Sequence, residues 1–170
     1  NHSVYTDFWV IKLDASGAIQ WQNTLGGAGG DNLNSIIATS DGHYILAGET
    51  SSQISDDKTE PLINNSVDIW VVKIDSIGNI VNQNNIGGEY SDLLDEAGVT
   101  PDGGFVLGGY SDSNIAGDKS EDSLGVEDFW IIKLDSSLNI KWQNTIGGNS
   151  RDYLWAMSAT NDGGVICGGK

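Results

Sequence analysis

One cysteine, two prolines and eight basic residues are all that this chain of 170 residues holds of those kinds, and each shortage removes a class of explanation. A lone Cys167 excludes any disulfide within the chain. Its place in the apolar run VICGG predicts a buried, unreactive thiol. Two prolines beside 23 glycines, with no Gly-X-Y period, exclude collagen and proline-rich linkers and leave tight turns between short elements. Eight Lys and Arg against 24 Asp and Glu give a formal charge of −16. Such a field repels nucleic acid phosphates and anionic membrane surfaces, so neither is an expected partner, while cations and neutral ligands stay open. No run approaches the roughly 18 apolar residues of a membrane span, and the start NHSVYTDFW has neither the basic nor the apolar region of a signal peptide. The chain reads as soluble, and as a mature segment or fragment. With 38% apolar residues it can build one folded domain.

What the chain has is repetition. DFWVIKLDASGAIQW at Asp7 returns as DIWVVKIDSIGNIVN at Asp68 and as DFWIIKLDSSLNIKW at Asp128. The spacings of 61 and 60 residues hold through the unit and give three copies, 7–49, 68–110 and 128–170. Gly-Gly doublets fall in register, each followed by an aspartate: Asp31, Asp92 and Asp152. SDGHYILAG, PDGGFVLGG and NDGGVICGG come next.

Within a copy, FWVIKL, IQWQNTL, LNSIIAT and YILAG are short, rich in β-branched and aromatic residues, and bounded by Gly, Asp and Ser. Each copy is therefore expected to be a four-stranded antiparallel meander, its first pair joined by DASG and its last by an Asp-Gly turn. DLLDEAG has a weak helical period but aligns with strand sequence elsewhere. The first and last strands are almost continuously apolar, which predicts burial on both faces. Sheets packed radially between copies of themselves meet that demand, so the expected fold is all-β, three β-propeller blades of about 60 residues each, forming part of a propeller. A parallel β-helix does not accommodate four turn-bounded strands in each coil. Further blades or a second copy are expected partners, because propellers use about four to eight blades.

Polar stretches 50–67 and 111–127 lie between the copies and read as inter-blade inserts. Asp57-Lys58-Thr59-Glu60 matches Asp118-Lys119-Ser120-Glu121, which points to a small ordered excursion or to recent duplication.

DFWVIKLDASG, IQWQNTLGG, DGHYILAG and ISDDKTE resemble tandem repeats of large secreted and cell-surface proteins of Bacteroidetes, commonly exported by type IX secretion. The resemblance spans essentially the whole chain. It implies a β-propeller in a secreted or surface-attached protein, without assigned enzymatic activity and without catalytic residues to carry over. Asp75-Ser76-Ile77 and Asp122-Ser123-Leu124 resemble the O-glycosylation acceptor of that phylum. Asp14, Gly17 and Trp21 are similar to the tryptophan-docking motif of quinoprotein propellers, with one residue fewer between Asp and Gly. Copy three keeps Trp142 but has Leu138 for Gly, and copy two has Asn82 for Trp. That likeness implies a structural role for Trp21 and Trp142, blade on blade, and no quinone.

Candidate sites follow from recurrence. In a closed ring Asp31, Asp92 and Asp152 would form a circle of carboxylates able to hold Ca²⁺; as turn residues they would bond their own backbone. Asp56, Asp57 and Glu60, or Asp118, Glu121 and Asp122, are a second calcium option, read more readily as solvated acidic loops. Asp41, Asp102 and Asp162 are turn formers. Lys12, Lys73 and Lys133 are expected as ion pairs with Asp7, Asp14 or their equivalents, or as snorkelling stems. Tyr90, Tyr153 and Trp155 could stack on a sugar, with Trp155 more readily a core residue. Trp9, Trp70 and Trp130 are expected in blade interiors. His2 and His43 have no repeated ligand set, and no nucleophile with a nearby base is evident. The expected function is a non-catalytic scaffold or adhesive module taking a glycan or surface protein; the alternative is part of a secreted glycan hydrolase.

Overall fold

The computed structural model describes residues 5–170, so His2 lies outside it. Among the described residues there is no helix, and twelve strands carry the fold: β1 (Phe8–Leu13), β2 (Ile19–Leu25), β3 (Asp31–Ala38), β4 (Tyr44–Thr50), β5 (Asp68–Ile74), β6 (Ile80–Ile86), β7 (Asp92–Val99), β8 (Phe105–Ser111), β9 (Asp128–Leu134), β10 (Ile140–Ile146), β11 (Leu154–Ala159) and β12 (Val165–Gly169). DLLDEAG is strand β7.

The expected three meanders are corrected by the pairing. The strands form sheets of two, four, four and two: β1-β2, β3-β4-β5-β6, β7-β8-β9-β10 and β11-β12. All their pairings are antiparallel, and no ring closes. The sheet boundary is offset from the repeat boundary by two strands. It falls at the Gly-Gly link, where the chain leaves β2 or β6 without pairing to the next strand. The stretches 50–67 and 111–127 are therefore not inter-blade inserts. They are long hairpin loops inside a sheet, because β4 pairs with β5 from Tyr44↔Ile74 to Thr50↔Asp68, and β8 with β9 from Phe105↔Leu134 to Ser111↔Asp128. Short linkage suggested sheet partners, but seven-residue backbone registers across the long loops outweigh proximity in sequence.

Three apolar layers separate the four sheets. Phe8, Val10 and Leu25 of the first half-sheet meet Leu46, Trp70, Val72 and Ile74. The opposite face of the same strands, with Ile45, Ala47, Ile69 and Val71, meets Leu94, Phe105, Leu107, Trp130 and Ile132. A third layer joins Val106 and Ile131 to Leu154. Side chains alternate faces along a strand, so the continuous apolar runs of β4, β5, β8 and β9 are buried on both sides. β1 has the same kind of sequence but is covered on one face only, and its burial alternates.

Bulges shape the strands at one sheet edge. In β3, β7 and β11 the register shifts between Leu33 and Ser35, Leu94 and Glu96, and Leu154 and Ala156. The carbonyl one residue before each shift faces the partner strand. A Cβ at Gly48, Gly109 or Gly169 would lie 2.0, 1.8 or 1.8 Å from the carbonyl oxygen of Asn32, Leu93 or Tyr153, which is why each last strand of a copy carries a glycine there. Gly109→Ala is expected to cost about 1–3 kcal/mol as an overpacked site. Gly98→Ala in neighbouring β7, where a Cβ meets nothing closer than 3.6 Å, is expected to be neutral or stabilising by up to about 1 kcal/mol. Urea denaturation of both variants measures the contrast.

Candidate functional site: the loop clamp and the recurrent carboxylates

Each long loop is ordered by the tetrad that recurs in it. Asp57 N–H donates to the Gly26 carbonyl at 3.1 Å, and Gly26 N–H donates back to Asp57 Oδ2 at 3.3 Å. Asp118 and Gly87 exchange the same pair at 2.9 and 3.2 Å. Since Gly26 and Gly87 follow β2 and β6, each loop is tied to the preceding sheet. Glu60 Oε2 accepts from Asn85 N–H at 2.6 Å and Glu121 Oε2 from Thr145 N–H at 2.5 Å, tying the same loop to the outer strand of its own sheet. Between these anchors the lysines turn inward. The Lys58 ammonium donates to the Glu60 carbonyl at 2.5 Å, and Lys119 to the Glu121 carbonyl at 3.1 Å and to Thr145 Oγ1.

The expected solvated acidic loops are corrected in part: Lys58 and Lys119 are buried and Asp57, Glu60 and Asp118 are half-buried anchors, while Asp56, Glu121 and Asp122 are exposed as expected. Burial pushes both ammonium groups below the usual lysine range. Asp68, Glu60 and Asp31 oppose that push at Lys58, as Asp92, Asp128, Glu121 and Asp122 do at Lys119. Buried Oδ1 of Asp31 and of Asp128 has no hydrogen bond, and the nearby ammonium supplies its counter-charge.

The three recurrent aspartates open the bulged edge strands β3 and β7 or lie just before β11, and they bond the Gly-Gly link. Asp31 Oδ2 accepts from Gly27 N–H at 2.8 Å and from Ser52 Oγ at 2.9 Å. Asp92 accepts from Gly88 N–H at 2.6 Å, Ser111 Oγ at 2.5 Å and Ser113 Oγ at 3.4 Å. Asp152 accepts from Gly148 N–H at 2.7 Å. Asp31 and Asp92 are fully buried. Among the described residues no three His, Cys, Asp or Glu side chains are grouped so as to hold a metal ion.

The tryptophans divide. Each indole of the Asp-x-Trp triplets donates to a glutamine on the neighbouring strand: Trp9 to Gln22 at 3.3 Å, Trp70 to Gln83 at 3.1 Å and Trp130 to Gln143 at 2.9 Å. Gln83 and Gln143 in turn donate to the carbonyls of Asp57 and Asp118 at 2.9 and 2.6 Å, which seats the loop over the ring. The Lys119 ammonium lies 5.5 Å from the Trp130 ring centroid. Trp70 and Trp130 are buried as expected, but Trp9 is 62% exposed. Among the described residues no strand pairs with the free edge of β1 and no loop is bonded over the Trp9 ring.

Trp21 belongs to a second contact between sheets, whereas Trp142, expected in the same role, is 39% exposed. Trp21 Nε1 donates to the Ser76 carbonyl at 3.0 Å, and its ring covers Gly78, where a Cβ would lie 3.3 Å from it. Asn23 donates to the Gly78 carbonyl at 3.0 Å. One sheet on, Asn84 repeats the Asn23 bond, to the Leu138 carbonyl at 2.8 Å, and Asn82 bonds the Ser137 carbonyl at 2.9 Å, one residue further along the turn than the Trp21 bond. Leu138, at φ 67°, is buried there. A large ring over glycine and a small amide over leucine are two ways to fill one joint. The departures from the docking motif at Asn82 and Leu138 compensate each other.

Other expectations need correction. Lys73 and Lys133 pair with the turn residues Asp41 and Asp102 at 3.1 and 3.0 Å, while Lys12 bonds the Leu13 carbonyl and Gln20; Asp14 and Asp75 instead accept from backbone N–H groups of their own turns. Cys167 is half-buried on an open apolar face with Met157 and Ile166. Trp155 is exposed beneath the Lys170 ammonium, 5.1 Å from the ring centroid. Tyr90 is exposed. Tyr153 packs edge-on against Tyr110 at 4.9 Å, and its phenol oxygen accepts from Arg151 at 3.1 Å.

Recurrence could not reveal one cluster, because it is not repeated. Glu49 and Asp95, on adjacent sheets, are both raised above the usual carboxylate range, chiefly by burial, and Asp95 adds its repulsion at Glu49. Tyr110 feels both of them. Glu49, Tyr110 and Lys170 occupy one position in the three copies, and that variation within matching flanks was the available signal.

No protein-family model matches the chain, and no curated protein matches it. Among the described residues no helix is long and apolar enough to cross a membrane.

Two outcomes follow from this geometry. Trp70→Ala and Trp130→Ala are each expected to cost about 3–5 kcal/mol, and Trp9→Ala less than about 1 kcal/mol in the monomeric chain; iodide should quench Trp9 and spare the other two. The second concerns acid. Burial pushes the Asp92 carboxyl up to about 6 against the opposing pull of Ser111 and Gly88 N–H. The folded state thus holds a proton that the unfolded chain, with a pKa of about 3.9, has already released. Stability therefore falls as pH rises between about 4 and 6, by about 2–3 kcal/mol for this group. Asp68 and Asp118 shift in the same direction. Asp41 and Asp102 are lowered by their Thr and Lys partners and act only at lower pH. Urea midpoints are expected to be higher at pH 4.5 than at pH 7, and the slope to flatten in Asp92→Asn.

Proposed function

We propose that this chain is a non-catalytic repeat segment of a β-propeller, its sheets acting as blades, and that it serves as a secreted or surface-attached scaffold with an adhesive face. One observation carries the reading: the polar residues that recur from copy to copy are engaged in holding loop to sheet and sheet to sheet. Asp57, Glu60, Lys58 and Gln83, with their counterparts Asp118, Glu121, Lys119 and Gln143, form a structural clamp. The two-faced burial of β4, β5, β8 and β9 supports radial packing, since a sheet wet on one face would alternate. A glycan or a surface protein is the ligand class that this acidic surface admits, and exposed Tyr90 offers a ring for stacking.

A second reading has one observation in its favour. Glu49 and Asp95 are two neighbouring carboxyls with raised proton affinity, the chemistry that a glycan hydrolase uses for its general acid. Incubation with a panel of polysaccharides separates the two readings. Retention on an insoluble polysaccharide or on surface protein without release of reducing ends is the expected outcome, with retention weakened in Tyr90→Ala. Release of reducing ends that disappears in Asp95→Asn and in Glu49→Gln would replace the scaffold by the hydrolase.

A further inference from the structure

His43 breaks the repeat at one position. Gly104 and Gly164 stand there in the other copies, and at Gly104 the reason for glycine is steric: an added Cβ would lie 2.3 Å from both the Lys133 ammonium and the Leu134 carbonyl oxygen. Lys133 uses that space. Its ammonium donates to both carboxylate oxygens of Asp102 and to the Leu134 carbonyl, so its three N–H donors are all taken. A histidine side chain at the same position leaves Lys73 without the corresponding bond to the Ile74 carbonyl. Among the described residues Lys73 keeps one acceptor, Asp41 Oδ2 at 3.1 Å, although only 15% of its side chain is exposed. Two donors of a largely buried ammonium group thus lack a protein acceptor, a state that a polar ligand relieves.

Lys73 lines a pocket of about 200 Å³ between two four-stranded sheets. Ser40 and Asp41, in the turn between β3 and β4, share its wall. Val99, Phe105 and Ser136, from β7, β8 and the turn between β9 and β10, form the other. Both serines are exposed, as is Val99.

The charges select a neutral ligand. The Thr39 hydroxyl and the Lys73 ammonium hold the Asp41 carboxyl well below the usual carboxylate range, so it stays ionised and, within a chain of formal charge −16, repels an anion. The Lys73 ammonium repels a cation. Neighbouring hydroxyls suit the pair: one donates to an Asp41 oxygen while the next accepts from Lys73. Ser40 and Ser136 bring further hydroxyls from opposite walls, and Val99 brings apolar surface for ring carbons.

We propose that this pocket binds one neutral sugar residue, Lys73 and Asp41 holding two adjacent hydroxyls and Ser40 and Ser136 flanking the ring. The proposal rests on the glycan reading above for its class of ligand and gives that reading a site. Lys133, with every donor taken, offers no such site one sheet on, so one site per chain is expected.

The test is a nuclear magnetic resonance titration of the ¹⁵N-labelled chain with the methyl glycosides of glucose, galactose and mannose. At up to about 50 mM, at least one of them should shift the amide signals of Ser40, Val99, Gly103 and Ser136, with a dissociation constant of about 1–10 mM. Lys73→Met, which keeps the stem and removes the donors, should weaken binding at least about tenfold. His43→Gly should weaken it as much with Lys73 still present, because the ammonium then gains the Ile74 carbonyl. Shielding of Trp70 and Trp130 from iodide shows that each variant is folded. No shift at the pocket with any of the three glycosides, shifts that survive His43→Gly unchanged, or equal shifts with glycine, whose zwitterion also matches an ammonium–carboxylate pair, would each overturn the proposal. Retention on a polysaccharide without pocket shifts would overturn this site and leave the adhesive reading standing. Pocket shifts without retention on any polysaccharide would support the site and remove the adhesive face.

Discussion

A lysine buried among carboxylates holds this fold together. Lys58 sits where a loop, its own sheet and the preceding sheet meet, and Lys119 repeats the arrangement one sheet on. Taking an ammonium group out of water is costly unless acids and hydrogen-bond acceptors surround it. The Glu60 carbonyl accepts from the first, and the Glu121 carbonyl and Thr145 hydroxyl from the second, while the charges of Asp68, Glu60 and Asp31 favour the first and those of Asp92, Asp128, Glu121 and Asp122 the second. The acids in turn accept from the Gly-Gly link and the outer strand, so each ammonium group depends on loop, link and strand being in place together. A chain with a formal charge of −16 thereby directs two of its few cations to the junctions where its acids converge.

The same junction explains the long loops. A hairpin connection of 16 or 17 residues would ordinarily add closure entropy with little return. Here the loop covers Trp70 or Trp130 and reaches the sheet before it through Asp57 or Asp118. Trp9 shows the converse, for with no loop bonded over it among the described residues its ring is exposed. Burial of a repeated residue is set by its neighbours and not by its own repeat.

Sheet-to-sheet contact away from the loops is a matter of volume. Trp21 over Gly78 and Asn82 over Leu138 place bulk on opposite sides of the same joint while keeping two hydrogen bonds to carbonyls of the turn. Close packing tolerates such exchanges when total volume is kept. Leu138 takes the left-handed backbone that glycine takes elsewhere, at a steric cost that its burial in the apolar layer offsets.

The order of strands, their hairpins at Asp14–Ala18 and Asp41–Gly42, and the two-faced burial of β4, β5, β8 and β9 were legible in the amino-acid sequence, because turn chemistry and apolar runs are local properties. The three-fold repeat marked Asp31, and the match between two loops marked Asp57, Lys58 and Glu60, as recurring residues. Where one sheet ends and the next begins was not legible. A repeat is periodic, so any four successive strands satisfy the same pattern, and only long-range backbone pairing chose β3 to β6 over β1 to β4. The inward turn of Lys58, the exposure of Trp9 and the meeting of Glu49 with Asp95 belong to the same class. Sequence by itself determined which segments become strands and which residues recur; tertiary structure alone decided what each recurring residue touches, because that depends on the sheet next to it and not on the strand that carries it.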